Sequence, residues 1–388
     1  MTRNPLSLTI TSEFFKTGDR LDWLIHQTFK RGRIPVDQKG AITDEVYRMV
    51  RLFPVAAARR GLDIFSGKPP LPEINRILKT TDFEELAGSL LALPIMGPHD
   101  PGQFGLPPVY KSDWWQPGAV TSPSFLYRSV QQRPVFLRQL NPAQPIPPGT
   151  KPVKGIPGAL VWESEIRDFG EPWFKAGGFE VQDLSGQLAS LLVNPKPTFK
   201  VLDACSGSGG KTMTLAGLMR NRGWITALSV NEREAANSRQ RARKNRFSNI
   251  RFITNPGSLE AGLFDQVWVD APCSGSGTIR RNPDLIYRMN REQIDRSSVV
   301  QLDLLKTYSA FVKPGGFLFY STCSVFQSEN ESVRQKFLQE SPGFSATSFK
   351  AAIDFHGLPL VDQPDYRFES IPHVDADGFY LTGFRKEH

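Results

Sequence analysis

Cysteine is scarce: the chain has three, and no two form a Cys-x-x-Cys pair. An odd count without that spacing argues against a disulfide framework and against a structural zinc site. Histidine is scarce too, five in all and scattered, so no metal-ligand spacing arises. No apolar run approaches the ~20 residues of a membrane-spanning helix. The start, Met1-Thr2-Arg3-Asn4-Pro5, lacks the apolar core of a secretory signal. These absences together lead us to expect a cytosolic (cytoplasmic) protein with no membrane association, and nothing implies an obligate protein partner. Acidic residues are outnumbered, 39 against 47 Lys and Arg, for a net charge of +8. That balance suits a polyanionic partner, although a solvated basic surface accounts for it equally well.

What is present is apolar material, 39 % of 388 residues, enough for real cores in two or three domains. Residues 1–93 read as helices: Leu21, Leu24 and Ile25, then Ile42, Val46, Met49, Val50 and Phe53, recur at three- and four-residue spacing. Thr43-Asp44-Glu45 reads as a helix start, and a third helix is expected from Asp82 to Leu93. The opposite faces carry Lys30, Arg31, Arg33, Arg48, Arg51, Arg59 and Arg60, which could touch phosphates or simply face water. Proline and glycine crowd 94–124, a linker by composition. Residues 125–178 read as a small mixed α/β subdomain, with strands at Val135–Leu140 and Ala159–Trp162. Trp114 and Trp115 before it and Phe125, Tyr127, Phe136 and Trp173 within it lie among basic residues, where they could stack bases, although buried core is the commoner use of such rings. From 179 to 388 apolar strands alternate with helical stretches, which argues for a parallel, doubly wound sheet. Such sheets bind ligands at the carboxyl ends of their strands.

Three strand ends carry chemistry. The first runs from Val201 through Asp203-Ala204-Cys205-Ser206-Gly207-Ser208-Gly209-Gly210-Lys211 to Thr212. A strand, a glycine loop and a helix start would turn backbone N–H groups toward a ligand. A nucleotide-triphosphate loop needs four residues between its first glycine and Gly-Lys. Gly207 and Gly210 are too close for that, and a nucleoside-bearing cofactor such as S-adenosylmethionine suits the spacing better. The second is Val269-Asp270-Ala271-Pro272-Cys273, followed by Gly275, Gly277, Arg280 and Arg281. The third is Phe319-Tyr320-Ser321-Thr322-Cys323-Ser324, with Ser328-Glu329-Asn330-Glu331 behind it. Two thiols placed after strand ends between polar residues are unlike core cysteines. Cys205, inside the loop, reads as packing.

These motifs resemble the RNA cytosine-C5 methyltransferases of the Fmu/Sun/RsmB type. Phe179–Ser185, Asp203–Thr212, Asp270–Gly277 with Arg280-Arg281-Asn282-Pro283-Asp284, Tyr320–Ser324 with Glu329-Asn330-Glu331, Pro372-His373 and Asp377–Tyr380 all look like segments of that family. Thr43–Tyr47 and Leu137-Arg138 look more faintly like its N-terminal parts. The resemblance implies an S-adenosylmethionine-dependent, Rossmann-like catalytic domain preceded by an all-helical domain and a small α/β subdomain. It implies methylation of RNA, with ribosomal RNA as the substrate. It makes Cys323 the nucleophile and Cys273 the helper when the adduct collapses. Asp270 would meet the base, and Lys211 would hold Asp270 or favour the thiolate. Arg280 and Arg281 would contact phosphates. The cofactor would lie on Cys205, Ser206, Gly207, Ser208, Gly209, Gly210, Lys211 and Asp270.

Two departures stand out. Where an acid usually holds the cofactor ribose this chain has Ser229, with Glu232 nearby as a replacement. Where a second acid usually meets the adenine it has Asn255. Those losses motivate a rival, a catalytically weakened RNA binder, which the two intact cysteine turns oppose. A DNA cytosine methyltransferase shares the Pro-Cys turn but not the second cysteine motif.

Overall fold

In the computed structural model, the described residues are 4–60, 62, 70–83, 85–86, 134–163, 171–360, 366–370 and 376–387. The linker expected at 94–124, most of the helix expected over 82–93, the aromatics Trp114, Trp115, Phe125 and Tyr127, and Pro372-His373 lie outside them. The chain forms two compact units. One comprises Met1–Arg133 and Thr278–Asn290, the other Pro134–Gly277 and Arg291–His388. No helix among the described residues is long and apolar enough to cross a membrane.

The first unit contains α1 (Pro5–Thr17), α2 (Leu21–Gly32), α3 (Val36–Ala58) and α4 (Leu71–Thr80). Asn4 caps α1 by accepting the Leu6 N–H at 2.9 Å, and Gly18 ends it in the left-handed region. Helix α3 starts seven residues before the expected Thr43. Thr43 lies inside it instead, and its hydroxyl bonds back to the Lys39 carbonyl at 2.7 Å. The expected apolar stripe is the core: Leu21, Ile42, Val46, Met49, Val50 and Phe53 are buried with Ile10, Phe14, Ile74 and Ile77. Lys30, Arg31, Arg33, Arg59 and Arg60 are exposed, whereas Arg51 turns in and donates to the Arg280 carbonyl at 2.7 Å.

Residues 278–290 belong to this helical unit rather than to the expected catalytic domain, and Pro54 supplies a reason. A proline inside α3 cannot donate to the carbonyl four residues earlier, that of Val50. The Tyr287 hydroxyl donates to it instead, at 2.8 Å, while its ring packs edge-on against Phe14 and Phe15.

Among the described residues the second unit holds two sheets. Strands β1 (Val135–Gln139), β2 (Thr150–Pro152), β3 (Ala159–Trp162) and β4 (Phe179–Val181) form an antiparallel sheet in the order β2-β3-β1-β4. A one-turn helix, α5 (Pro172–Lys175), precedes β4. The small subdomain thus takes in 179–181, just past the expected boundary. Trp173 packs on Trp162 and Phe179, and Phe136 is buried, so both rings serve the core.

The larger sheet has eight strands: β5 (Lys200–Asp203), β6 (Trp224–Leu228), β7 (Ile250–Ile253), β8 (Phe264–Asp270), β9 (Val312–Thr322), β10 (Phe344–Ala346), β11 (Arg367–Ser370) and β12 (Phe379–Lys386). Its order is β10-β12-β9-β8-β5-β6-β7, with β11 also on β12. The pairs from β7 to β9 are parallel, and β12 runs antiparallel to β9. Around it lie α6 (Leu184–Val193), α7 (Gly210–Leu218), α8 (Glu232–Lys244), α9 (Arg291–Ser309), α10 (Glu331–Glu340) and α11 (Lys350–His356). Alternate residues feed two cores, Val201, Trp268 and Phe319 one, and Leu202, Val267, Val269, Leu318 and Tyr320 the other. The chain leaves β5 toward β6 on one side and returns to β8 on the other. That reversal is the switch point at which such sheets open a crevice.

Replacing Tyr287 by Phe keeps the ring packing and removes one donor from a buried carbonyl. Chemical denaturation should show a loss of about 1–3 kcal/mol, and an unchanged stability would remove the hydroxyl from this role.

Candidate active site

The glycine loop leaves β5 at Asp203, and Thr212 in the first turn of α7 donates to its carboxylate at 2.6 Å. The Ser206 N–H bonds the Leu228 carbonyl at 2.9 Å, which lays the loop beside the end of β6. Gly207 and Gly209 both have positive φ, 49° and 83°. A Cβ on Gly209 would stand 2.1 Å from the Ser238 oxygen, so only glycine fits. Gly209 is also the N-cap of α7 and offers no side chain to it, leaving first-turn N–H groups for a ligand. This is the cradle expected for a nucleoside-bearing cofactor, and the residues present fit one. Cys205 packs against the core beneath, and burial, then Asp203 and Asp270, push its thiol up to about 12. Ser208 is exposed, and its carbonyl accepts from Arg241 at 2.8 Å.

The replacements for the two acids differ in placement. Ser229 is buried at the end of β6. The Glu232 side chain is 73 % exposed and faces Arg239 at 3.9 Å. Asn255 is exposed, and its side-chain oxygen accepts the Gly257 N–H at 2.8 Å in a local turn.

On the other side of the switch point, Asp270 ends β8 opposite Ser321 of β9. Lys211 Nζ lies 2.6 Å from one Asp270 oxygen, and the Ser321 hydroxyl donates to the other at 2.7 Å. Burial works against the Lys211 ammonium, but the charge and hydrogen bond of Asp270, with smaller help from Cys323 and Asp203, hold its pKa above the ordinary value. The Phe379 ring centroid lies 5.1 Å from Nζ. Phe379 is positioned in turn because Asp183 and Ser185, at the start of α6, bond the backbone of Asp377.

The two thiols meet: Cys273 Sγ lies 3.4 Å from Cys323 Sγ. The hydrogen bond to Cys323 and burial push the Cys273 thiol well above its ordinary range, and either sulfur can be the donor in their contact. Both turns hang on Glu329, which is fully buried. Its carboxylate accepts the Ser274 N–H (2.8 Å), the Ser274 and Ser324 hydroxyls (2.5 Å each) and Gln301 Nε2 (3.1 Å). The Tyr320 hydroxyl donates to its backbone carbonyl. Gly277 completes the junction, since a Cβ there would stand 2.1 Å from the Gly378 carbonyl oxygen. Glu329 as the hub, with Ser274, Ser276, Ser324 and Gln301, was not assigned from sequence. A serine directly after each cysteine and an acid six residues beyond Cys323 were the available signal.

The structure thus brings Lys211, Asp270, Cys273 and Cys323 to one edge, with the glycine loop beside them. It does not present Arg280 as expected: that side chain is 2 % exposed, turned inward after buried Thr278 and Ile279, whereas Arg281 is exposed. Among the described residues no His, Cys, Asp and Glu group could hold a metal ion.

Burial pushes the Asp203 carboxyl from its ordinary 3.8 up to about 7, against the Thr212 hydrogen bond. The folded chain then keeps a proton that the unfolded chain has released, so stability is highest below 3.8 and falls as pH rises to about 7. Asp203→Asn should flatten that part of the profile, read as urea midpoints against pH. An undiminished slope would assign it to other groups.

Comparison with known proteins places this geometry. Residues 190–385 match the family described as 16S rRNA methyltransferase RsmB/F. The probable ribosomal RNA small subunit methyltransferase B of Bacillus subtilis is 34 % identical over 225 residues, 56 % of this chain and 50 % of that protein. The Caenorhabditis elegans 26S rRNA (cytosine-C(5))-methyltransferase nsun-1 is 31 % identical over 247 residues, 59 % of this chain and 37 % of that one. The chain therefore spans about half or less of the length of these relatives. A methyltransferase homolog protein from Pyrococcus horikoshii shares the fold, with a TM-score of 0.59 and 24 % identity over 78 % of this chain and 99 % of that one. With its family segment covering the sheet, the glycine loop and both cysteine turns, the chain belongs to the RsmB/F family of 16S rRNA methyltransferases.

Proposed function

We propose that this protein methylates carbon 5 of cytosine in RNA, with ribosomal RNA as the substrate, using S-adenosylmethionine in the cytoplasm. The observation that carries this reading is the pair of sulfurs 3.4 Å apart beside the Lys211–Asp270 ion pair. A pure RNA binder needs neither thiol.

Carbon 5 of cytosine is a poor nucleophile. The Cys323 thiolate adds to carbon 6, and the double-bond electrons move to carbon 5. Carbon 5 would then attack the methyl on the positive sulfur that S-adenosylmethionine would supply, with S-adenosylhomocysteine as the leaving group. Once Cys323 is bonded to carbon, Cys273 releases its own proton to solvent and as a thiolate takes the proton from carbon 5, the double bond re-forms, and the Cys323 sulfur leaves as thiolate. A thiol has a pKa near ~8.5 and needs a positive neighbour to ionise; Lys211 is that neighbour here. Cys273 stays a thiol while it donates to Cys323. Once the Cys323 sulfur is bonded to carbon, that hold on the Cys273 proton weakens. Asp270 uses one lone pair on Lys211 and one on Ser321. A carboxylate has about four such sites, so it can still accept from the protonated N3 edge of the base. The base must leave any stack to reach this edge. The glycine loop, the open first turn of α7 and Lys211 would hold the cofactor. Arg281, exposed on the helical unit, is the candidate RNA phosphate contact there, whereas Arg280 is buried.

Incubation with labelled S-adenosylmethionine and RNA should transfer label to cytosine carbon 5. Cys323→Ala should lower transfer by roughly a thousandfold or more. Cys273→Ala should accumulate a protein–RNA adduct that survives denaturing electrophoresis. An adduct formed by Cys323→Ala through Cys273 would reverse the two roles. Absence of transfer and of cofactor binding by calorimetry would favour the RNA-binding rival.

A further inference from the structure

The strand beside the glycine loop ends without an acid. Ser229 stands where nucleoside-binding sheets place the carboxylate that holds a ribose hydroxyl. Its hydroxyl donates to the Glu234 carboxylate at 3.1 Å, with the Asn231 carbonyl as a longer acceptor at 3.4 Å. We propose that Glu234 is the ribose-binding acid of this chain, carried on the first turn of α8 instead of on the strand end. The assignment rests on the reading of the loop as an S-adenosylmethionine site.

Several contacts place that carboxylate over the loop. The Ser206 N–H bonds the Leu228 carbonyl at 2.9 Å, so the loop and the end of β6 lie side by side. A Cβ on Gly207 would be 3.9 Å from Glu234 Oε2, which is ordinary contact distance. The carboxylate therefore rests on the glycine that leaves the loop open. Asn231 caps α8 by accepting the Arg233 and Glu234 N–H groups at 3.0 and 3.3 Å, which fixes the Glu234 backbone. The positive end of the helix dipole favours an anion there. Glu234 is half-buried, and among the described residues no basic side chain pairs with it. Its second oxygen is left to accept. Glu232, the acid nearest in sequence, faces Arg239 with its side chain 73 % exposed.

A carboxylate at this position accepts hydrogen bonds from a vicinal diol, so it recognises a ribose rather than a deoxyribose. Ser229 then orients the acid instead of binding the sugar.

The test is calorimetry on the full chain with S-adenosylhomocysteine and with its 2′-deoxyribose analogue. Glu234→Gln should weaken S-adenosylhomocysteine binding roughly ten- to a hundredfold, the range for a hydrogen bond to a charged group. It should also erase the preference for ribose over deoxyribose. Glu232→Gln should bind within about twofold of wild type, as expected for an exposed pair. Adding Ser229→Asp to Glu234→Gln should restore both affinity and preference, which a folding defect would not allow. A Glu234→Gln protein that binds as wild type, with its ribose preference intact, overturns this assignment alone. So does a loss that follows Glu232 instead. A wild-type chain that binds neither compound overturns the cofactor reading itself.

Discussion

A fully buried carboxylate must be compensated or the fold does not hold. Glu329 is compensated by donors from three places: the turn of Cys273, the turn of Cys323 and helix α9. Two of those donors, Ser274 and Ser324, directly follow the cysteines. Satisfying the charge and setting two sulfurs 3.4 Å apart are therefore one event. The cost of leaving this acid unpaired protects the geometry of both turns. A site built on two separate loops would otherwise drift by more than chemistry tolerates.

The second constraint is the parallel register of β8 and β9. It sets Asp270 beside Ser321, and the residue two beyond Ser321 is Cys323. Lys211 reaches the same point from α7, across the switch between β5 and β8. Burial works against the Lys211 ammonium, and the Asp270 charge and hydrogen bond outweigh it. The pair sets opposite charges where the proposed reaction handles a thiolate and a base. In the helical unit the same logic works on a neutral group: Pro54 strands a carbonyl, and Tyr287 recovers it.

Much of this was legible in order along the chain. Alternation of apolar strands with helices announced the parallel sheet, because a buried central strand must be apolar on both faces. The glycine spacing around Lys211 excluded a triphosphate loop. Two thiols after two strand ends pointed to paired cysteine chemistry, and Lys211 was expected beside Asp270. Other points were not legible. The start of α3 was masked by a Thr-Asp-Glu triplet that imitates a cap but bonds within the helix. Arg280 and Arg281 look equivalent in sequence, yet one is buried and one exposed. Glu232 and Glu234 flank one arginine in the same helical turn. Which of them faces the loop depends on a rotation of about 100° per residue, set by where Asn231 begins the helix.

The sequence by itself determined the fold class, the family resemblance and the identity of the groups at the strand ends. Those are local properties: periodicity, glycine spacing, and which residue follows a strand. Only the tertiary structure decided that a buried Glu329 joins the two cysteine turns, that residues 278–290 leave the sheet for the helical unit, and that Glu234 lies on the glycine loop. Each depends on partners tens of residues apart or more, or on the rotation of a helix against a neighbouring loop. Burial and hydrogen-bond satisfaction select those pairings in three dimensions, and residue order alone does not encode them.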